Sequence, residues 1–271
     1  MAGSSGKFYK VHKAVCKLMR TISVVSGKGG VGKTTTSINL AAYLNSLGHN
    51  VLLIDANVNT PDIGLSLGAP VVPISLQHVL SGKNSPEDAV YTHHSGIKVM
   101  PSSLSISADI KGLAKITGKL KNNFDFIIID SAAGLGDDVF SAIKASDECL
   151  IVTNPELPAL TGALKTIKAA EGLKKQILGV LVTRKSGNQL SLKNVKSMLG
   201  YPILGVIPED NKVKEAQLDR ETLVKFPRSK ASKGYKKLAL KILGEAIEEK
   251  GIFGKIVDGL KNIKFSVDFK N

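Results

Sequence analysis

The residues Gly27-Lys28-Gly29-Gly30-Val31-Gly32-Lys33-Thr34-Thr35 form the most chemically loaded stretch of this chain. They match the spacing GxxxxGK[ST], a loop built to hold a polyphosphate. Glycine lets backbone N–H groups come close to phosphate oxygens. Lys33 supplies a cation to the β and γ groups, and Thr34 offers a hydroxyl to Mg²⁺. A second lysine, Lys28, sits inside the loop, where a phosphate cradle within one subunit does not require it; it is available to a partner's nucleotide. A tight glycine turn after a strand is the competing reading, and the flanking sequence disfavours it.

Those flanks must position the loop. Thr21–Ser26 (TISVVS) is a short β-branched apolar run that predicts a strand. Thr34–Leu47 carries Ile38, Leu40, Ala41, Ala42, Leu44 and Leu47 at helical spacing, and Gly48 follows where a helix C-cap prefers glycine. The alternation returns at Asn50–Asp55, Gly96–Met100, Phe124–Asp130, Glu148–Thr153, Ile177–Thr183 and Ile203–Ile207. Strands apolar throughout and separated by helices predict an α/β fold: a P-loop NTPase with a mostly parallel twisted sheet and helices on both faces. Ligand chemistry then belongs at the carboxyl ends of the strands. The stretches 61–73 and 102–107 read as surface loops. The domain is placed at residues 21–250, with a basic extension at 1–20 and a further segment at 251–271.

Composition agrees with a buried sheet. Of 271 residues 43% are hydrophobic and only 5% aromatic, with 26 glycines and no tryptophan. Cys16 and Cys149 offer no CxxC pair or metal-ligand spacing, which excludes a disulfide framework and an iron–sulfur site. The five histidines show no metal-binding spacing and are assigned no role. Nothing resembles a secretory leader or a membrane span, so a cytoplasmic protein is expected. The net charge of +14 is concentrated at the ends: residues 1–20 carry +5 and residues 212–271 carry +7. Such termini seek something anionic, either phospholipid or nucleic acid.

The segment SGKGGVGKTTT, with Lys28 in place, resembles the deviant Walker A motif of the MinD/ParA family. LLIDANVNTPDIGLSLG, FIIIDSAAGL, VTNPE, VTR and GVIPED follow in that family's order, and NPE with IPED favours the MinD branch, of the archaeal type. The resemblance implies ATP and Mg²⁺ as cofactors and a homodimer in which Lys28 reaches the other subunit's phosphates. It implies that Asp130 holds the Mg²⁺ shell through water, with a similar role for Asp55. It places Thr183, Arg184, Pro208 and Asp210 around the adenine. One residue departs from the family pattern. Where an aspartate is expected two positions after Asp55, this chain has Asn57, which can orient a water but cannot accept its proton. Hydrolysis is therefore expected to be slow, or to use another carboxylate, of which Asp62 is the nearest.

The segment Gly251–Phe265 carries Ile252, Phe253, Ile256, Val257, Leu260 and Ile263 as one apolar helical stripe flanked by lysines. Packing of that stripe on its own domain is the bland alternative. It also resembles the membrane-targeting tail of MinD, which implies reversible peripheral association with the cytoplasmic face of an anionic membrane. A weaker stripe, Phe8, Val11, Val15, Leu18 and Met19, lies in the leader. The resulting expectation is an ATP-dependent dimeric switch that positions an unknown protein partner or a cellular structure. The alternatives are a ParA-like protein binding DNA without sequence preference, an iron–sulfur carrier of the Mrp type, which lacks its cysteine pair here, and a pseudo-ATPase.

Overall fold

The computed structural model describes residues 19–187 and 189–245. Along the chain come β1 (Arg20–Ser26), α1 (Lys33–Ser46), β2 (Val51–Asp55), α2 (Ile63–Ser66), α3 (Leu76–Leu80), β3 (Tyr91–Thr92), β4 (Lys98–Met100), α4 (Leu113–Leu120) and β5 (Phe126–Ala133). They are followed by α5 (Asp137–Ala145), β6 (Glu148–Thr153), α6 (Leu157–Gly172), β7 (Gln176–Lys185), α7 (Leu192–Leu199), β8 (Ile203–Pro208), α8 (Asn211–Leu218) and α9 (Lys230–Ile242). The sheet order is β3-β4-β2-β5-β1-β6-β7-β8, parallel throughout except for the β3–β4 edge pair. β1, which feeds the glycine loop, lies in the middle of the sheet between β5 and β6, so its carboxyl end is flanked by strand ends on both sides.

The apolar strands are explained by cover on both faces. Ile22, Val24 and Leu53 pack with Leu40 and Leu44 of α1 and Tyr235 and Leu238 of α9 on one side. Leu52, Ile54, Ile127 and Ile129 meet α3 and α4 on the other, while Val25, Ile151 and Val180 meet α5, α6 and α7. A strand buried on both faces has no solvent side to alternate with. The mixed sheet with helical layers is thus the architecture expected.

Three differences from the sequence reading have local causes. β3 is only two residues long, too short to show a period. The stretch 61–73 is more than a surface loop: α2 lies within it, and Ile63 and Leu67 are buried in the core. Ser102 is also buried, because its hydroxyl donates to the Asp55 carbonyl at 2.7 Å. The helix after the glycine loop ends as expected, with Gly48 left-handed at φ 94°. The apolar stripe read in 251–271, and the leader stripe apart from the exposed Met19, lie outside the described residues.

Candidate phosphate-binding site

The site is assembled from the glycine loop, α1 and the carboxyl ends of β2, β5, β7 and β8. Helix α1 is preceded by its N-cap Gly32, left-handed at φ 85°, and has no side-chain cap and no acidic residue in its first turn. The N–H groups of that turn therefore keep their donor capacity, and the helix dipole adds positive potential there. Gly30 is also left-handed, at φ 72°. Gly27 has a different job. A Cβ built on it would lie 2.1 Å from the Gly162 backbone in α6, so this glycine is needed for strand–helix packing and is absent from the cavity lining. Gly162 is the other half of that contact, and nothing in the sequence of a mid-helix glycine announces it. Val31 is buried, and its carbonyl accepts the Thr183 hydroxyl, which ties the loop to β7.

The two lysines are separated by environment. The Lys33 side chain is 8% exposed, with Nζ 3.4 Å from Asp130 Oδ1. Lys28 is 45% exposed at the rim, 3.4 Å from Glu156 Oε2. Asp130, fully buried, also accepts from the Thr34 hydroxyl at 2.7 Å and the Ser37 hydroxyl at 2.8 Å. Ser37 had no signal in the motif; it sits one helical turn after Lys33 and so faces the same strand end.

Asp55 pairs with Asp130 across β2 and β5 and is equally buried. Its carboxylate accepts the backbone N–H of Asn57 and of Ile63, each at 3.1 Å. Burial above all, and then the Asp130 charge, push its carboxyl up to about 7. Neither Asp55 nor Asp130 lines the open cavity; both stand behind it. Asn57 lines it, but its amide donates to the Thr60 carbonyl and its oxygen accepts the Thr60 hydroxyl at 3.1 Å. Asp62 lines the same cavity, and partial burial followed by the Asp130 charge raises its carboxyl against the opposing pull of Lys33.

A cavity of about 420 Å³ is bounded by Lys28, Gly29, Gly30, Gly32, Lys33, Thr34 and Thr35 on one wall and Asn57, Thr60 and Asp62 on the other. A neighbouring cavity of about 250 Å³ shares Gly32, Thr35, Arg184 and Gln217 with it. Thr183, Arg184, Pro208 and Asp210 all line this second space, beside Tyr235. Arg184 holds a left-handed backbone at φ 50°, a costly choice for a residue with a side chain. Partial burial works to raise the Asp210 carboxyl, but hydrogen bonds from Ser229 Oγ (2.7 Å), Ala231 N (3.1 Å) and Lys212 N (3.0 Å) outweigh it and hold the group below its ordinary value. Its oxygens are thus committed to fastening the starts of α8 and α9. Among the described residues no three His, Cys, Asp or Glu side chains cluster as a metal cage.

Comparison with known proteins bears on the fold and the family. The AAA domain family model matches residues 19–181. An uncharacterized ATP-binding protein of Methanocaldococcus jannaschii is 32% identical over 88% of this chain and 96% of its own length. The septum site-determining protein MinD of Thermotoga maritima is 32% identical over 88% of this chain and 93% of its own. The structure of MinD complexed with Mg-ADP from Pyrococcus horikoshii OT3 superposes with a TM-score of 0.79 at 35% identity, over 82% of this chain and 95% of that one. With the second lysine in its loop, this chain belongs to the MinD/ParA family of P-loop ATPases.

Proposed function

We propose that the protein is an ATP-dependent dimeric switch of the MinD kind. It binds Mg-ATP, pairs with a second copy across its nucleotide face, rests reversibly on the cytoplasmic face of a membrane, and positions a protein partner or cellular structure there. The observation that carries this reading is the division of labour between the two loop lysines: Lys33 is enclosed beside Asp130, while Lys28 stands at the rim. A cation needed only for phosphates in its own subunit has no reason to sit outside. The Mg-ADP described for the Pyrococcus MinD and the ATP-binding relative support the choice of ligand.

The donor set fits a nucleoside triphosphate with its cation. The open first turn of α1, Gly30, Gly32, Thr35 and Lys33 face one cavity, and the Thr34 hydroxyl is presented to a cation by its bond to Asp130. Mg²⁺, when bound, neutralises charge on the phosphates. Lys33 would turn to the phosphates, and Asp130, which holds the Thr34 hydroxyl, would support the cation's water shell. Asp55 shapes the segment 57–63 through its two backbone acceptors. Thr183, Arg184 and Pro208 border the space beyond the phosphates, where a base would lie, and Asp210 shapes it. Lys28 would exchange Glu156 for the partner's phosphates. A nucleotide-binding pseudo-ATPase is the second reading, favoured by the Asn57–Thr60 clasp, since an amide so engaged has no free group for a water.

Nucleotide titration and light scattering test the reading. Lys33→Ala is expected to abolish ATP binding. Lys28→Ala is expected to keep it and lose ATP-dependent dimerisation; a Lys28→Ala protein that still dimerises removes the trans role. Truncation after Lys250 is expected to abolish ATP-dependent vesicle binding with no change in melting temperature. A marked fall in melting temperature would show that the stripe of Ile252, Phe253, Ile256, Val257, Leu260 and Ile263 packs on the domain.

A further inference from the structure

Between Thr222 and Gly244 the chain has seven basic residues and no acidic one. The structure sorts this segment onto two faces of α9. Tyr235, Leu238, Ala239 and Ile242 are buried against the sheet and α1. The opposite face holds Lys230, Lys233, Lys236, Lys237 and Lys241, all exposed, and none has an ion-pair partner among the described residues. At 100° per residue these five span roughly 140° of the helix surface. Like charges three and four residues apart repel, and a fold that needed only solubility would intersperse acids among them.

The face is held rigidly. Thr36 Oγ1 and the Tyr235 hydroxyl are 3.3 Å apart, Tyr43 bonds Ser232, and the Arg20 guanidinium donates to the Ile242 carbonyl at 2.6 Å. Asp210 fastens its first turn to the second cavity.

We infer that this α9 face is a docking surface for anionic phospholipid, acting beside the apolar 251–265 stripe; this rests on the membrane reading above. Two features favour lipid over nucleic acid. Leu240, half-buried, lies by helical position within the lysine arc, as an interfacial helix requires. No aromatic side chain shares that arc to stack on bases, since Tyr235 is buried on the other side. One amphipathic segment gives marginal binding, and stable residence takes a second contact, which this cationic face supplies.

The test is flotation of the full chain with Mg-ATP on phosphatidylcholine vesicles, with and without about 30% phosphatidylglycerol. Lys233→Gln/Lys237→Gln/Lys241→Gln is expected to lose on the order of 100-fold in partitioning to the anionic vesicles, with no change on neutral ones. The deficit should shrink at high salt. The matching triple arginine variant should bind as wild type does, which separates charge from damage to the helix. Equal binding of the glutamine variant and wild type to anionic vesicles overturns the proposal. So does loss of binding to a short DNA duplex with vesicle binding intact, which would reassign the face to nucleic acid. Leu260→Asp reads the other reading separately: if it leaves ATP-dependent vesicle binding unchanged while the glutamine variant loses it, the tail reading fails and the α9 face stands. Absence of wild-type binding to any vesicle overturns both.

Discussion

Asp130 lies opposite the last residue of β2 and Asn57 two residues past it, yet they are built to different standards. Asp130 gathers Lys33, Thr34 and Ser37 onto two buried oxygens, so one carboxylate ties three groups of α1 to the sheet. Asn57 closes on Thr60 three residues away, and the carboxylate nearest to it in the cavity is Asp62. The binding half of the site is wired into the core. The half that the proposed function assigns to the attacking water is carried by a short local loop. Affinity for nucleotide and speed of turnover are therefore separable in this molecule, because they rest on different elements.

The wired half breaks most severely. Gly27→Ala places a methyl group inside the Gly162 backbone, which neither strand nor helix can yield, and a loss of more than about 4 kcal/mol is expected in denaturant unfolding. A near-native midpoint would show that α6 can shift away. Asp130→Ala leaves Lys33 buried without its counter-charge, at a cost of about 3–5 kcal/mol in the nucleotide-free protein. Bound ATP should restore part of this, because its phosphates would give Lys33 a new counter-charge.

Asp55 sharpens the contrast through pH. Its folded carboxyl titrates at about 7 against an ordinary 3.8, so between those values the folded protein keeps a proton that the unfolded chain releases. Stability contributed by this group is therefore greatest at low pH and falls as pH rises to 7, by up to about 4 kcal/mol. Relative to Asp55→Asn, the nucleotide-free wild type should lose ground from pH 4 to pH 7 and run parallel above it. A flat difference between the two would show that the buried charge is compensated.

The loop half gives the smallest effect. Asn57→Asp should raise single-turnover hydrolysis about tenfold, or about 1.4 kcal/mol of barrier, by restoring a proton acceptor beside Thr60. If it changes nothing and Asp62→Asn stops turnover, Asp62 is the working carboxylate.

The phosphate loop, its strand and its helix were legible in the residues because each is local: a glycine spacing, a β-branched run and a 3.6-residue period are all written within thirty positions. The parallel sheet followed from strands without polar alternation, a pattern that burial on both faces imposes. The Asn57 departure could also be read directly, as a change of one side chain in a patterned segment. The strand order, the Gly27–Gly162 contact and the convergence of Ser37 on Asp130 could not, since each joins residues 90 or more positions apart whose types are unremarkable alone. Whether Asn57 was free or clasped depended on the fold of the 57–63 turn around Asp55. The basic composition of residues 222–244 was visible as charge, but its concentration on one face of α9 came from which side of that helix the sheet and α1 bury. Side-chain chemistry and short-range period belong to the chain; direction and distance between remote residues belong to packing, which no local pattern encodes.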